Sequence, residues 1–529
     1  MPDPQLPASA TQPPHRTPAP APPGPALPSP AGRNPAVFGF AATVVALLWA
    51  WQPSLWTDEA VTISAASRSW SSLAAMLGEV DAVHGTYYAL MHLWCAVFGY
   101  SELALRLPSA LAVGLSTAGL YALSYRLAGP RTAVAAAAVF AILPRTTWMG
   151  MEARSFALST ALTVGLCWVL VAAVDNGRRR YFVLYALLAA LGIAVNIYVL
   201  LAVAAHAVFV CLLPRARRIL LPWLAAALAG VLAGTPVLLA AVRQSGQLGT
   251  PDLSVGQLAR NILVNQWFLG ETPTNPAVPG SGSGLWQAAA VLLAGVAWLL
   301  AAFAVRRAPR PVPALALPLL LVPTAVLVLV SLTAAPVYNP RYLTLTTPAM
   351  ALLIGAGLAK LRPGHAAVAG ALLCVLILPV YASQRTAEAK NSSDWEQVAD
   401  YVQTHAEPGN AVYFGPRRVP DGPLVQQTQR RISTAYPRAF DGLLDVTLLA
   451  SGEDDGSLDG SSLPLQDSAG RLADVERVLA VRRADYPREL TELEDRWFAA
   501  RGFTAVDQWA GTTNRVTVFT RDGADSNGG

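Results

Sequence analysis

Long apolar runs alternate with short polar segments from residue 36 to residue 383, whereas both ends of the chain are polar. Because a membrane-spanning helix needs roughly 20 apolar residues, this pattern predicts a polytopic helical membrane protein. Only 13% of the residues are charged, against about a quarter in soluble globular proteins. The eleven predicted spans are 36–53, 104–125, 131–147, 154–174, 181–196, 198–213, 219–242, 285–305, 311–334, 342–359 and 365–383.

Basic residues cluster after the even-numbered spans, for example at 178–180, 215–218 and 306–310. The positive-inside rule places such loops in the cytoplasm. The expected location is therefore the plasma membrane, with the N-terminus cytoplasmic and the C-terminal domain extracytoplasmic. The loops 54–103 and 243–284 then lie outside. The net charge of +5 resides mostly in short loops, so no nucleic acid partner is expected.

The two chain ends differ in composition from the middle. Residues 1–35 are rich in proline and poor in large apolar side chains, which predicts a disordered tail. Residues 384–529 read as an α/β domain with strands at "NAVYF", "RVLAV", "FTAVDQWAG" and "NRVTVFTR". Its first helix, in "DWEQVADYVQTHA", is expected to be capped by Asp394.

Two apolar segments outside the predicted spans are typical of helices at the membrane interface. "YYALMHLWCAVFG", residues 87–99, is too short for a span, and counting it as one would invert every later loop. "LSVGQLARNILVNQWFLG" lies in the loop 243–284 and precedes "ETPTNPAVPGSGSG", which is typical of a mobile loop. The loop 243–284 is therefore expected to form a lid.

Ionisable residues avoid the centres of the predicted spans, except for His206, and gather at their outer boundary. A transporter would instead be expected to place them near the midplane. The position at the outer boundary suits chemistry on a lipid headgroup. Sugar transfer from a polyprenyl phosphate needs a carboxylate to take the proton of the acceptor hydroxyl and cations to hold the leaving phosphate. The four cysteines are isolated, so neither a disulfide framework nor a structural zinc site is expected.

Four stretches resemble a known family in the right order along residues 36–383. They are "WTDEAV", "HGTYYALMHLWCAVFGYSELALRLPSAL", "LPRTTWMGMEARSFAL" and "YNPRYLTLTTPAMALLIGAGL". Together they are similar to membrane glycosyltransferases of the GT-C fold, and specifically to glycosyltransferase family 39, the protein O-mannosyltransferase and aminoarabinose-transferase group. One departure is Gly85-Thr86, where the family has two prolines after its histidine.

The resemblance implies that Asp58 in "WTDEAV" is the catalytic base and that Glu59 assists it by binding the acceptor or a divalent ion. From the residues alone, either carboxylate could instead cap the helix that begins at "EAVTIS". No cofactor is predicted, no metal ligands are assigned, and the need for a divalent metal stays open.

Five further residues are assigned to the donor phosphate or the acceptor, and they are His84, Glu152, Arg154, Arg341 and Tyr342. Glu152 and Arg154 could alternatively form a local ion pair, and Arg341 could serve as an ordinary headgroup anchor.

Other polar or aromatic residues are given structural roles. Arg106 is expected to organise the first outer loop by pairing with an acid such as Glu102, and His206 to pack between helices. Trp49, Trp51 and Trp56 are expected to lie in the interfacial aromatic belt.

The resemblance implies an inverting transferase that moves a sugar, with mannose favoured, from a polyprenyl-phosphate donor in the bilayer to a cell-envelope acceptor. The acceptor could be a protein, a glycolipid or a polysaccharide. The alternatives are a transporter or flippase of lipid-linked sugars and a non-catalytic envelope-assembly protein.

Overall fold

The computed structural model describes residues 34–245, 253–270, 283–415 and 429–521. The proline-rich tail lies outside these ranges except for its last two residues. Most of the predicted mobile loop at 271–284 lies outside them as well.

Helices make up most of the described chain. In chain order the α-helices are α1 (Pro35–Leu47), α2 (Thr57–Ala66), α3 (Trp70–Glu79), α4 (Gly85–Phe98), α5 (Glu102–Ala128), α6 (Pro130–Ile142), α7 (Pro144–Met149), α8 (Phe156–Asn176), α9 (Arg179–Val195), α10 (Val199–Leu212), α11 (Leu220–Arg243), α12 (Val255–Arg260), α13 (Gln266–Phe268), α14 (Ser283–Arg307), α15 (Pro311–Thr333), α16 (Thr347–Lys360), α17 (Pro363–Ser383), α18 (Trp395–His405), α19 (Arg430–Ala435), α20 (Gly452–Asp455) and α21 (Arg488–Ala499).

A helix coincides with each of the eleven predicted spans. Among the described residues, seven helical segments are long and apolar enough to cross a membrane, and α1, α6 and α10 are shorter apolar helices. Many large apolar side chains of α11, α14 and α17 are exposed, as expected for helices that face lipid. The chain is therefore a multi-pass helical membrane protein.

Small residues allow close packing between these helices. Gly355 of α16 lies against the backbone of Ala136 in α6, so closely that a Cβ atom on Gly355 would lie 2.4 Å from the Ala136 nitrogen. Such contacts replace the hydrophobic driving force that helices lose within lipid. Between α5 and α6 the chain turns at Gly129, whose φ of 85° suits glycine, and Pro130 then begins α6.

We name the loops 54–103 and 243–284 the first and second outer loop after the side of the membrane that the sequence predicts for them. The first outer loop contains three helices, α2, α3 and α4. In α4, Tyr87, Tyr88 and Met91 are buried, whereas Leu93 and Val97 are 60% and 75% exposed. One apolar face of α4 thus packs inward and the other is open, as the prediction of an interfacial helix requires.

The second outer loop packs its described helical segment against the membrane helices. A π-helical turn at Asn261–Asn265 joins α12 to α13. The buried Arg145 of α7 donates to the carbonyl oxygens of Asn265 and Gln266. Gln266 in turn donates to Thr324 and accepts from Tyr338. These contacts fix the end of the segment nearest Phe268.

A five-stranded sheet follows the last membrane helix in the order β2-β1-β5-β7-β6. Strand β1 is parallel to both neighbours, and β7 is antiparallel to β5 and β6. A separate pair, β3 and β4, is antiparallel. The strands are β1 (Ala411–Gly415), β2 (Leu444–Asp445), β3 (Leu448–Ala450), β4 (Ser461–Ser462), β5 (Arg477–Arg483), β6 (Phe503–Ala510) and β7 (Asn514–Arg521).

The two faces of the sheet have different partners. Tyr413 and Ala480 face a cluster built around Phe498 of α21. Val412 and Leu479 join a cluster that includes α18 and also the first outer loop, for example Ile63 of α2. The sheet and the first outer loop therefore share one hydrophobic core.

The predicted role of Asp394 as a helix cap is wrong. Although Asp394 precedes α18, its side chain makes no capping hydrogen bond. Its carboxylate instead accepts from the backbone and side chains of Thr513 and Asn514 at the start of β7. Four hydrogen-bond donors from another part of the chain thus take the place of the helix N–H group that a cap would bind.

Candidate active site

Helix α2 places the two adjacent carboxylates. It begins at Thr57, and neither Asp58 nor Glu59 caps it, because its N-cap is Trp56 and no side chain caps the helix. Consecutive helical residues point about 100° apart. Asp58 and Glu59 therefore enter different surroundings on two sides of one helix.

Glu59 is fully buried and accepts four hydrogen bonds. Arg106 of α5 donates Nε to Oε1 at 3.0 Å and Nη2 to Oε2 at 2.7 Å. Lys390 Nζ and the Ala153 backbone N–H donate to Oε1 at 3.0 and 3.2 Å. Burial alone would raise the pKa of Glu59, but Arg106 and Lys390 outweigh it, so the pKa is lowered and the carboxylate stays ionised.

Glu152, also fully buried, joins the same network. Its Oε1 accepts from Lys390 Nζ at 2.5 Å, and its Oε2 accepts from the indole Nε1 of Trp56 at 3.1 Å. Burial and the nearby charge of Glu59 raise the pKa of Glu152 to about 7, although Lys390 opposes the shift. We call Glu59, Arg106, Glu152 and Lys390 the buried charge network.

Asp58 lies on the more open side of α2, with 20% of its side chain exposed. Its Oδ2 accepts from Arg341 Nη1 at 3.1 Å, and its Oδ1 has no hydrogen-bond partner among the described residues. Burial works to raise the pKa of Asp58, but Arg341 and then Arg154 outweigh it. The pKa is therefore lowered, and Asp58 is an anion at neutral pH.

Arg341 lies between aromatic rings. Its guanidinium carbon is 5.7 Å from the ring centre of Trp56 and 5.6 Å from that of Tyr342. Tyr342 itself stacks on Tyr198, with ring centres 5.0 Å apart. Both rings are within the range of a cation–π contact, so both can stabilise the position of Arg341.

Arg154 forms a second cationic position near Asp58. Its Nη1 donates to the hydroxyl of Tyr88 at 2.8 Å, and Nη2 lies 2.9 Å from Nε2 of His84. The Tyr88 hydroxyl in turn donates to Oδ2 of Asp81. Burial and the charge of Arg154 lower the pKa of His84 to about 4, so His84 is neutral and accepts from Arg154. The buried Nε of Arg154 has no partner among the described residues.

The structure brings the sequence-predicted site residues together from distant segments. Asp58, Arg341 and Tyr342 form one group, and Arg154 and His84 lie beside it. Glu59 and Glu152 each form an ion pair with Lys390. Neither Glu59 nor Glu152 forms an ion pair with Arg154, so the alternative of a local Glu152–Arg154 pair does not hold.

Several site contacts were not expected from the sequence. Arg106 organises the first outer loop, but it pairs with Glu59 and not with Glu102. Trp56 is 6% exposed and donates to Glu152, whereas the predicted belt residues Trp49 and Trp51 are about half exposed. Lys390 was missed altogether.

Two further observations bear on alternative chemistry. His206 is buried between Tyr185 and Cys167, which confirms its expected packing role. In the part of the chain that the structure describes, no three His, Cys, Asp or Glu side chains are grouped so that they could hold a metal ion.

The family and structure comparisons agree on the fold. A family model described as dolichyl-phosphate-mannose-protein mannosyltransferase matches residues 86–239. This range includes Glu152 and Arg154 but not Asp58 or Arg341. No curated protein sequence matches the chain significantly.

Among solved structures, the chain is similar to ArnT from Cupriavidus metallidurans. The apo structure aligns with 13% identity and a TM-score of 0.55, covering 91% of this chain and 97% of ArnT. A structure of the same protein bound to undecaprenyl phosphate aligns with 15% identity and a TM-score of 0.53, with the same coverage. The chain therefore has the GT-C fold of membrane glycosyltransferases.

Proposed function

We propose that this protein is an inverting glycosyltransferase that uses a polyprenyl-phosphate sugar, with mannose as the first candidate. The sugar is transferred to a cell-envelope acceptor on the extracytoplasmic side. The basic loops described above support this orientation, because the positive-inside rule predicts that the first outer loop and the sheet lie outside.

One observation carries the proposal. Asp58 is a partly exposed anion whose Oδ1 has no hydrogen-bond partner among the described residues, and Arg341 and Arg154 lie beside it. A base with a vacant acceptor position next to a phosphate-binding pair is the minimum that this transfer needs. The ArnT structure with bound undecaprenyl phosphate adds support, because it has the same fold.

In the proposed step, the acceptor oxygen attacks the anomeric carbon from the face opposite the phosphate. Asp58 takes the proton of the acceptor hydroxyl as the new C–O bond forms. The old C–O bond breaks, and its electron pair stays on the phosphate, which Arg341 and Arg154 hold. The single displacement inverts the anomeric centre.

The pKa of Asp58 is expected to depend on whether a donor phosphate is bound. A base works best when its pKa is near the working pH. A bound phosphate would neutralise part of the charge of Arg341 and Arg154, and the pKa of Asp58 would then rise. Donor binding would thereby prepare the base for the acceptor.

The first test is transfer by purified protein in lipid nanodiscs. The native protein and Asp58→Asn are incubated with radiolabelled polyprenyl-phosphate mannose and a membrane extract. We expect label to move to an acceptor with the native protein only. The labelled product would identify the acceptor, and the anomeric configuration of the bond would test inversion.

Glu102→Gln is the matched control, because Glu102 is a carboxylate near the same loop that makes no contact with the site. It should transfer label as the native protein does. Transfer by Asp58→Asn at the native rate would contradict the proposed base. Failure of the native protein with mannose, followed by success with another polyprenyl-linked sugar, would correct the donor sugar only.

A further inference from the structure

Lys390 lies seven residues beyond the last membrane helix, in the segment that leads to the sheet. Its ammonium group has three N–H donors, and the structure gives it three acceptors. These are Glu59 Oε1 at 3.0 Å, Glu152 Oε1 at 2.5 Å and the Met151 carbonyl oxygen at 2.6 Å. The side chain is 1% exposed, so Lys390 is a fully used, buried cation.

The choice of lysine at this position is unusual for this chain. Of its 38 basic residues only two are lysines, Lys360 and Lys390. Lys360 ends α16, whereas Lys390 is enclosed by protein. A compact ammonium fits three converging acceptors, whereas the planar five-donor fork of arginine would leave donors buried without partners.

Two short routes connect Lys390 with the proposed base. One passes through Glu59, the immediate neighbour of Asp58 in α2. The other passes through Glu152 to the indole N–H of Trp56, whose ring lies against Arg341, the ion-pair partner of Asp58. Lys390 thus holds both the helix that carries the base and the ring that supports its cation.

The sheet domain that follows Lys390 also contacts the first outer loop, which contains α2. Arg68 at the end of α2 donates to the carbonyl oxygens of Gly452, Ser457 and Leu458. Arg431, which adds to the positive charge felt by Asp58, is held by both oxygens of Asp459. Together with the shared hydrophobic core, these contacts fix the position of Lys390 relative to α2.

We infer that Lys390 is a positioning residue for the reaction proposed above, and that the segment after α17 completes the active site. This inference rests on the proposed function. It assigns the sheet domain a role in assembling the catalytic site, in addition to any contact with the acceptor. Lys390 touches neither base nor phosphate, and it acts through Glu59, Glu152 and Trp56.

The test uses the full chain in nanodiscs with four variants. Lys390→Met keeps the length of the side chain and removes its charge, and Lys390→Arg keeps the charge with the wrong shape. The double variant Lys390→Met/Glu152→Gln removes one charge of each sign. In it, the amide oxygen of the new glutamine can still accept from Trp56. Arg488→Met is the control, because Arg488 is 91% exposed on the sheet domain.

We expect Lys390→Met and Lys390→Arg each to lower kcat by about 100-fold, the effect of a small misplacement of reacting groups. The KM for the acceptor should change little. The double variant should recover most of the lost kcat, since it restores charge balance, and Arg488→Met should match the native protein. A stability role alone would lower the amount of folded protein and leave kcat per folded molecule unchanged, which would overturn the inference.

The affinity for undecaprenyl phosphate provides a readout that does not depend on the sugar or the acceptor. Displacement of Trp56 and Arg341 should weaken binding by about tenfold, or about 1.4 kcal/mol, in both single variants, with recovery in the double variant. If the native protein transfers no sugar, the proposed function fails for that donor. The affinities for undecaprenyl phosphate then test the role of Lys390 by themselves. Equal affinities in all variants would overturn the role of Lys390.

Discussion

Asp58 and Glu59 are adjacent in α2, yet Asp58 is one-fifth exposed with a single ion-pair partner, whereas Glu59 is fully buried among four donors. The open side also contains Arg154, whose Nε has no partner in the part of the chain that the structure describes. On the buried side, the carboxylate oxygens and the ammonium protons of the network are all occupied. Spare hydrogen-bonding capacity marks the side where a ligand fits, and complete pairing marks the side that holds the fold.

This contrast separates two roles that the sequence assigned jointly. Both carboxylates were expected to take part in catalysis. The geometry supports Asp58 as the base and gives Glu59 the task of holding α2 against α5. Substitutions of the two carboxylates should therefore differ in their main effect, which is on activity for Asp58 and on stability for Glu59.

The largest effect is expected for Asp58→Asn. Loss of a general base lowers rates by about 10²–10⁴-fold, so transfer should fall within that range. The melting temperature should stay close to the native value, because a partly exposed ion pair contributes only about 0–1 kcal/mol. Steady-state transfer and differential scanning fluorimetry on the same preparation would check both parts. A large fall in melting temperature would place Asp58 on the structural side of the comparison.

Glu59→Gln should show the opposite profile. It leaves the buried Arg106 with an amide in place of a bidentate carboxylate, and breaking a buried pair costs about 3–5 kcal/mol. The expected result is a much lower melting temperature or poor recovery of folded protein. Glu102→Gln removes a carboxylate that lies outside the buried charge network, so this variant should have the melting temperature of the native protein. Full stability of Glu59→Gln would contradict the structural role of the buried charge network.

The helices of this fold could be predicted because their signals are local. Apolar runs of sufficient length predicted the helices that coincide with the eleven spans, and the alternation of strands and turns predicted β1, β5, β6 and β7. The contacts that build the site are not local: Lys390 meets Glu59 across 331 positions and Glu152 across 238. No periodicity encodes such a pairing, so Lys390 was missed.

The actual partners of Asp394 and Arg106 were missed for one physical reason. Asp394 and Arg106 were given the partners nearest in sequence, a helix N-terminus and Glu102. In the folded chain each finds several partners from other elements. A buried charge is stable only when it is fully paired, which favours such long-range sets. The rarity of lysine in an arginine-rich chain was the one sequence signal that could have singled out Lys390.

On the open side, Arg154→Lys should weaken lipid-phosphate binding while leaving the charge in place. Lysine cannot contact Tyr88, His84 and a phosphate with one planar fork. Hydrogen bonds to charged groups contribute about 1.5–3 kcal/mol, so affinity for undecaprenyl phosphate should fall about 10–100-fold. Titration in nanodiscs would measure this change, with Arg488→Met as the control. Unchanged affinity would remove Arg154 from the phosphate site.

The smallest expected effect concerns pH and His84. Burial beside Arg154 lowers the pKa of His84 to about 4, whereas in the unfolded chain it is about 6.5. Because the folded pKa is the lower one, the unfolded chain binds the proton more readily, and stability falls as pH drops through 6.5 towards 4. Between pH 7.5 and 5.0 this linkage amounts to at most about 2 kcal/mol.

His84→Asn removes this linkage, so the variant should lose less stability than the native protein over the same pH range. Thermal unfolding of both proteins in the same nanodiscs at pH 7.5, 6.5, 5.5 and 5.0 would measure the difference. The carboxylates and other histidines are common to both proteins, so their titration cancels in the comparison. Parallel pH profiles would show that His84 can take up a proton in the folded protein. Arg154 would then lose the neutral acceptor that holds it beside Asp58.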